Sequence, residues 1–158
     1  MYCIQCGSSN IEFKVPLGDN RSRYVCNDCH HIHYTNPKMI VGTIPIYKGQ
    51  VLLCRRDIEP RKGFWNLPAG FLEDGESLML GAQRELREEA LATAKNLQLH
   101  TIYNLSHVSQ IYFFFICELV DGAYGIGQET IESKLFDFKS QNILKTFKKD
   151  LLKIKMMM

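Results

Sequence analysis

Glu85, Glu88 and Glu89 follow one another closely in the run Arg84-Glu85-Leu86-Arg87-Glu88-Glu89. On a helix, positions i, i+3 and i+4 share one face about one turn apart, so the three carboxylates meet. Like charges held together repel, and a cation relieves the repulsion. Clustered hard oxygen ligands suit Mg2+ or Mn2+, which keep several waters and also bind phosphate oxygens. Arg84 stands four residues before Glu88 and can pair with it, fixing that carboxylate. The plainer reading of the same run is a solvated helix face of Glu/Arg pairs.

A second set of ligands lies near the N-terminus. Cys3-x2-Cys6 and Cys26-x2-Cys29 are separated by 19 residues. Each Cys-x2-Cys knuckle turns two thiolates toward one point, and two knuckles supply the four tetrahedral ligands of a structural Zn2+. Strand-like stretches at Ile11–Val15 and Arg23–Cys26 flank the turn cluster Pro16-Leu17-Gly18-Asp19-Asn20, which is the plan of a zinc ribbon. The other reading is two disulfides. It is disfavoured because no basic segment followed by an apolar run opens the chain, and because Cys54 and Cys117 sit alone in apolar runs like free buried thiols. His30, His31 and His33 follow the last knuckle as alternative ligands or as solvated neighbours. A ribbon of about 30 residues is too small to rest on a hydrophobic core alone, so the metal's work there is folding.

The elements that must position these residues follow from periodicity and breakers. Asn36-Pro37 marks the passage from ribbon to main domain, so residues 1–34 are expected to form the ribbon and 35–158 the larger domain. Strands are predicted at Met39–Tyr47, interrupted by Pro45, and at Gln50–Arg55, Phe64–Leu67, His100–Leu105, Ser109–Leu119 and Ser133–Phe138. Residues 68–75 and 121–127 read as loops. Apolar positions at Leu78, Ala82, Leu86 and Ala90 predict a helix from Ser77 to about Lys95, and Ile143, Leu144, Phe147 and Leu151 predict another over 140–155 with a lysine-rich outer face.

From Gly70 the chain reads Gly70-x5-Glu76-x7-Arg84-Glu85-Leu86-x-Glu88-Glu89, preceded by Trp65-Asn66-Leu67-Pro68-Ala69. This resembles the Nudix box, which the family continues with a glycine where Leu91 stands here. Glycine at that place leaves the helix in the left-handed conformation, so Leu91 suggests a helix running on toward Asn96. A four-cysteine ribbon, then His33-Tyr34-x-Asn36-Pro37-Lys38, then such a box is similar to the zinc-ribbon Nudix group, in which some enzymes cleave NADH and others FAD. The stretches Asn36–Gly42, Val51–Arg56 and Gly127-x-Glu129-x2-Glu132 are closest to the FAD-cleaving branch. Ser109-Gln110 opens like the NADH-cleaving motif but lacks its Trp and Pro. The likeness extends to about residue 138, and the tail is shorter than in related proteins.

The resemblance implies a Nudix α/β/α sandwich with a mixed sheet, preceded by the ribbon. It implies hydrolysis of the pyrophosphate in a nucleoside diphosphate linked to another group, with dinucleotides, ADP-ribose or nucleotide sugars as substrates. Glu85, Glu88 and Glu89 would hold Mg2+ or Mn2+, with the main-chain carbonyl of Gly70 as a further ligand. Glu129 and Glu132 are the candidate bases, with His107 behind them. Arg56 is the candidate phosphate ligand, and Tyr34, Phe64, Trp65, Tyr112 and Phe114 are the aromatic rings available to a base. Two further readings stay open: a nucleotide-sensing module whose ribbon touches nucleic acid, and removal of an NAD cap from RNA.

Composition bounds these readings. In 158 residues, 46% are apolar and 23% charged, the balance of an ordinary folded domain rather than a disordered chain. The longest apolar run, Ile111–Cys117, is far below the roughly 20 residues of a membrane span. A net charge of +2 gives no reason to expect nucleic acid. A cytoplasmic protein, with a homodimer as in many relatives, is the resulting expectation.

Overall fold

The computed structural model describes residues 1–137, so the helix expected over 140–155 lies outside the described residues. The chain divides into two compact units, one over Met1–Asn36 and one that begins at Pro37. The first is a three-stranded antiparallel sheet of β1 (Ile11–Lys14), β2 (Arg23–Cys26) and β3 (Ile32–His33), in that order. Phe13 pairs with Tyr24, and Tyr24 with His33, so one row of rings crosses the sheet.

The second unit is built on a seven-stranded mixed sheet. Its strands are β4 (Lys38–Tyr47), β5 (Gln50–Arg56), β6 (Trp65–Asn66), β7 (Ala69–Phe71), β8 (Ala94–Leu105), β9 (Gln110–Leu119) and β10 (Thr130–Asp137). The order is β10-β5-β4-β9-β8, with β6 beside β5 and β7 beside β4. The β4–β9 pairing is parallel and the rest are antiparallel. Strand β4 runs straight through Pro45. It pairs with β7 over Ile40–Gly42 and with β5 only at Ile46 and Tyr47. Pro45 falls in the gap between those ladders, where a missing N–H breaks no strand pairing on that edge.

Alternation along the strands sorts the core into two faces. On one face Leu52, Cys54, Cys117 and Leu119 pack with Leu86 and Ala90 of the helix α1 (Leu78–Ala90). Val41 and Phe115 pack with Ala82 of the same helix. On the other face Val51 and Leu53 gather Ile44, Ile46, Trp65, Leu67 and Phe136. No described helix is long and apolar enough to cross a membrane.

Several expected boundaries move. The stretch 68–75, expected as a loop, contains β7, because Gly70 pairs with Val41. The helix expected to reach Lys95 ends at Ala90. Leu91 itself takes the left-handed conformation at φ 49° and donates its N–H to the Arg87 carbonyl. An L-residue there costs about 1–2 kcal/mol. Burial of Ala92 in the same cluster as Ala90 offsets it, since a continuing helix would turn Ala92 to the face opposite Ala90. Strand β8 therefore starts at Ala94 rather than His100, and it absorbs Asn96 (φ 56°) at an irregularity between Lys95 and Gln98.

Thr43 is fully buried on β4, and its hydroxyl has no hydrogen-bond partner among the described residues. An unpaired buried hydroxyl costs about 1–3 kcal/mol. Thr43→Val keeps the shape and removes that cost, so its thermal midpoint should rise by a few degrees. A lower midpoint in a melting curve would contradict this.

Candidate active site

Helix α1 presents the carboxylates. Ser77 caps its N-terminus by accepting the Leu80 N–H at 3.3 Å. Glu85 and Glu89 lie on the face turned to the sheet and are 8% and 7% exposed, whereas Glu88 is exposed. Arg84 ties this end of the helix together. Its Nη1 donates to Glu85 Oε1 at 2.7 Å and to Glu88 Oε2 at 3.0 Å. Its Nε and Nη2 donate to the two oxygens of Glu76 at 3.2 and 2.7 Å, and Nη2 also reaches the Phe71 carbonyl at 2.9 Å. Such a planar fork on a carboxylate fixes orientation as well as charge. Glu76 has a place in the box spacing but no role read from the sequence, and the structure supplies one. It accepts the Glu73 N–H at 2.8 Å and so anchors Arg84 from the loop that enters the helix.

Two glycines allow the close approaches. A Cβ on Gly70 would lie 2.4 Å from both carboxylate oxygens of Glu85, so only glycine lets β7 run against that group. The neighbouring Ala69 N–H points to Glu89 Oε1 at 3.4 Å. At the other end of α1, a Cβ on Gly127 would collide with the Glu88 carbonyl. The Gly127 N–H donates to the Glu89 carbonyl at 3.0 Å and the Gly125 N–H to the Ala90 carbonyl at 2.6 Å. A glycine-rich loop thus satisfies carbonyls that a helix end leaves open.

That loop brings in Glu129, whose charge is felt by both Glu85 and Glu89. Its carbonyl accepts the Asp57 N–H at 2.9 Å. Glu132 is not brought there. It lies opposite Arg55 on β10, beyond a register shift at Thr130, with 3.9 Å between Arg55 Nη1 and Glu132 Oε2.

Burial is the main force on the two inner carboxyls. It pushes Glu89 up to about 7, with the Ala69 N–H and Arg56 opposing and Glu85 and Glu129 adding to the rise. It also raises Glu85, against the pull of Arg84. Five carboxylates (Glu76, Glu85, Glu88, Glu89 and Glu129) thus meet two guanidinium groups, those of Arg84 and Arg56. Among the described residues only the four ribbon cysteines are drawn together as one ligand set, while this excess of carboxylate oxygens is of the chemistry that suits a divalent cation.

These groups open on a cleft of about 1520 Å3. Arg56, Phe64, Trp65, His107, Tyr112 and Phe114 line it. Arg56 is held by its Nε on the Pro60 carbonyl at 3.1 Å. The Tyr112 and Phe114 rings are near parallel with centroids 6.1 Å apart, and the Tyr112 hydroxyl donates to Gln110 Oε1 at 3.0 Å. Trp65 makes an edge contact with Phe136 in the core. Tyr34 belongs to the first unit, where Arg23 sits 5.1 Å from its ring centroid.

In the first unit the sulfurs of Cys3, Cys6, Cys26 and Cys29 all lie within 4.8 Å of one another. Cys3–Cys29 and Cys6–Cys26 are each 3.6 Å apart, and all four thiols are free. A tetrahedron with metal–sulfur bonds of about 2.3 Å has edges of about 3.8 Å, so the set fits one metal. The backbone N–H groups of Cys29 and Asp28 hold the Cys26 thiol down to about 7, while hydrogen bonds among the crowded thiols and burial raise Cys6 and Cys29, so the protons are shared unequally over the cluster. His31 and His33 meet edge to face at 4.8 Å and are not part of this cluster.

Comparison with known proteins agrees with this arrangement. Residues 1–35 match the "Nudix N-terminal" zinc-ribbon family and residues 37–150 the "NUDIX domain" family. The chain is 45% identical to a NUDIX hydrolase of known crystal structure from Nitrosomonas europaea, with a TM-score of 0.82 over 87% of this chain and 78% of that one. It is 30% identical over 113 residues to an ADP-ribose pyrophosphatase of Methanocaldococcus jannaschii, covering 68% of this chain. It is 28% identical over 123 residues to the NAD-capped RNA hydrolase NudC of Vibrio parahaemolyticus, covering 77% of this chain. The chain spans 66% and 44% of the lengths of these two curated relatives. With the four-thiol ribbon and the box carboxylates converging as described, the chain belongs to the Nudix hydrolase family, in its zinc-ribbon group.

Proposed function

We propose that the protein hydrolyses the pyrophosphate bond of a nucleoside diphosphate linked to another group and releases AMP. The observation that carries this reading is the pair of buried carboxylates, Glu85 and Glu89, which line one cleft with Glu129, Glu85 being held by Arg84. Glu85, Glu88, Glu89 and the Gly70 carbonyl would hold Mg2+ or Mn2+. When bound, such an ion neutralises phosphate charge and lowers the pKa of a coordinated water.

The chain's own groups do the rest. Arg56 binds a phosphate oxygen at the mouth of the carboxylate cluster. Arg84 keeps Glu85 and Glu88 aimed. Glu129 accepts a proton as the oxygen of water bonds to one phosphorus. The bridging P–O bond breaks, and the departing phosphate keeps the electron pair. Glu132, tied to Arg55, takes no part. The four ribbon cysteines hold Zn2+ as a folding element, as befits a reducing compartment such as the cytoplasm, and the homodimer expected from the resemblance belongs to this reading.

ADP-ribose leads the substrate list, supported by the activity named for the archaeal relative. NADH, NAD and FAD come next, followed by nucleotide sugars. The test is AMP release from this panel with Mg2+ or Mn2+, with Glu88→Gln beside the parent protein. Release that the variant loses supports the reading. No release from any substrate by a folded, zinc-loaded protein overturns it. An NAD-capped RNA substrate is the second reading, supported by the activity named for the Vibrio relative and by exposed Phe13 and Tyr24, 4.9 Å apart on the ribbon. Faster turnover of capped RNA than of NAD would favour it.

A further inference from the structure

Four cations crowd the end of β5 and the loop after it: Arg55, Arg56, Arg61 and Lys62. Three have assigned work. Arg55 donates to the Gly63 carbonyl at 3.1 Å and faces Glu132. Lys62 pairs with Asp57 at 2.8 Å. Arg56 is held by Pro60 beside Glu89. Arg61 has no carboxylate partner among the described residues, yet it lines the same cleft as Glu89, Glu129 and Tyr112.

The backbone of the loop that carries Arg61 is built, and the side chain itself is exposed to the cleft. Arg61 stands at φ 69°, a conformation that a bulky L-residue adopts at a cost. The loop is closed around it by Gly63 N–H on the Arg56 carbonyl at 2.8 Å and Phe64 N–H on the Arg61 carbonyl at 3.2 Å. Arg61 and Arg56 both act on the half-buried Tyr112 hydroxyl, which belongs to a strand far away in sequence. Arg56 and Arg61 both line the cleft that Glu85, Glu88, Glu89 and Glu129 also line.

We propose that Arg61 is a second phosphate-binding residue, which with Arg56 grips the two phosphates of a diphosphate-linked nucleotide and sets the preference for such substrates over nucleosides. The inference rests on the pyrophosphatase reading above and deepens it. Arg61 binds and does not take part in bond breaking, so its loss acts on affinity. A charge-assisted contact to phosphate corresponds to about a tenfold to hundredfold change in affinity.

The test compares the parent protein with Arg61→Ala and Arg61→Lys. ADP-ribose turnover with Mg2+ gives KM and kcat. Binding of ADP-ribose and of adenosine is followed by fluorescence of Trp65, the chain's only tryptophan and a residue of the same cleft. The expected result is a KM and a dissociation constant for ADP-ribose raised at least about tenfold in Arg61→Ala, with kcat within about twofold. Adenosine binding should be unchanged, and lysine should recover part of the loss. An unchanged KM, a loss confined to kcat, or an equal loss for adenosine overturns the inference. If the parent protein binds ADP-ribose but releases no AMP from any substrate, the pyrophosphatase reading fails while the fluorescence comparison still decides the role of Arg61. If it binds no ADP-ribose, the inference fails with it.

Discussion

In a Glu89→Gln protein, AMP release falls by about three orders of magnitude, while the fold is kept. Glu89 is buried against β7, and glutamine can still accept the Ala69 N–H through its oxygen. What disappears is the negative charge. The same substitution has an opposite effect on stability in the absence of divalent metal. Burial raises the Glu89 carboxyl to about 7 in the folded protein, above its ordinary 4.5. A raised pKa means that the folded state prefers the protonated form. Glu89 therefore contributes most stability below about pH 4.5, and that contribution is lost as pH rises through about 7. The difference amounts to about 3 kcal/mol. Metal-free Glu89→Gln should accordingly melt near the parent protein at pH 5 and clearly above it at pH 8. Mg2+ should raise the parent's midpoint more at pH 8 than at pH 6. Parallel melting curves for parent and variant across this pH range would refute the burial argument.

Cys26→Ser should abolish zinc binding and unfold residues 1–36. Apparent binding energies of structural zinc are about 10–16 kcal/mol, and the ribbon has little else to fold on. Its buried residues are Cys3, Pro16, Val25 and Cys26, and two of these four belong to the thiol cluster. The unit that begins at Pro37 should keep its own melting transition, because its three apolar clusters contain no residue before Val41. Limited proteolysis and a zinc assay check both parts. Retention of one zinc per chain by the variant, or loss of the second unit's transition, would count against this division.

The chemistry was more legible than the connections. Cysteine spacing alone implied that Cys3, Cys6, Cys26 and Cys29 share a point, because a knuckle fixes its two sulfurs locally. The i, i+3, i+4 spacing likewise put Glu85, Glu88 and Glu89 on one helix. Which of them would be buried depends on the sheet beneath, and no local pattern reports it. The split between Glu129 and Glu132 was illegible for a similar reason. Three residues apart in a loop they look equivalent, but the start of β10 and its register shift send one toward α1 and the other toward Arg55. The end of α1 is illegible locally because a left-handed exit does not require glycine: the burial of Ala92 decides, and Leu91 bears the strain.

The parallel pairing of β4 with β9 also governs when the site can exist during synthesis. Lys38 pairs with Gln110 and Ile46 with Glu118, so the centre of the sheet waits for a distant part of the chain. Long-range parallel pairing is slow to form, because loop closure precedes its reward. Until then the glutamates of α1 have no floor beneath them, and the loop that delivers Glu129 has not yet left the ribosome. A nascent chain therefore passes through a stage in which its carboxylates lie open to water and hold no organised metal. The carboxylate cluster thus assembles late, whereas the ribbon, whose unit is complete by Asn36, is free to fold earlier.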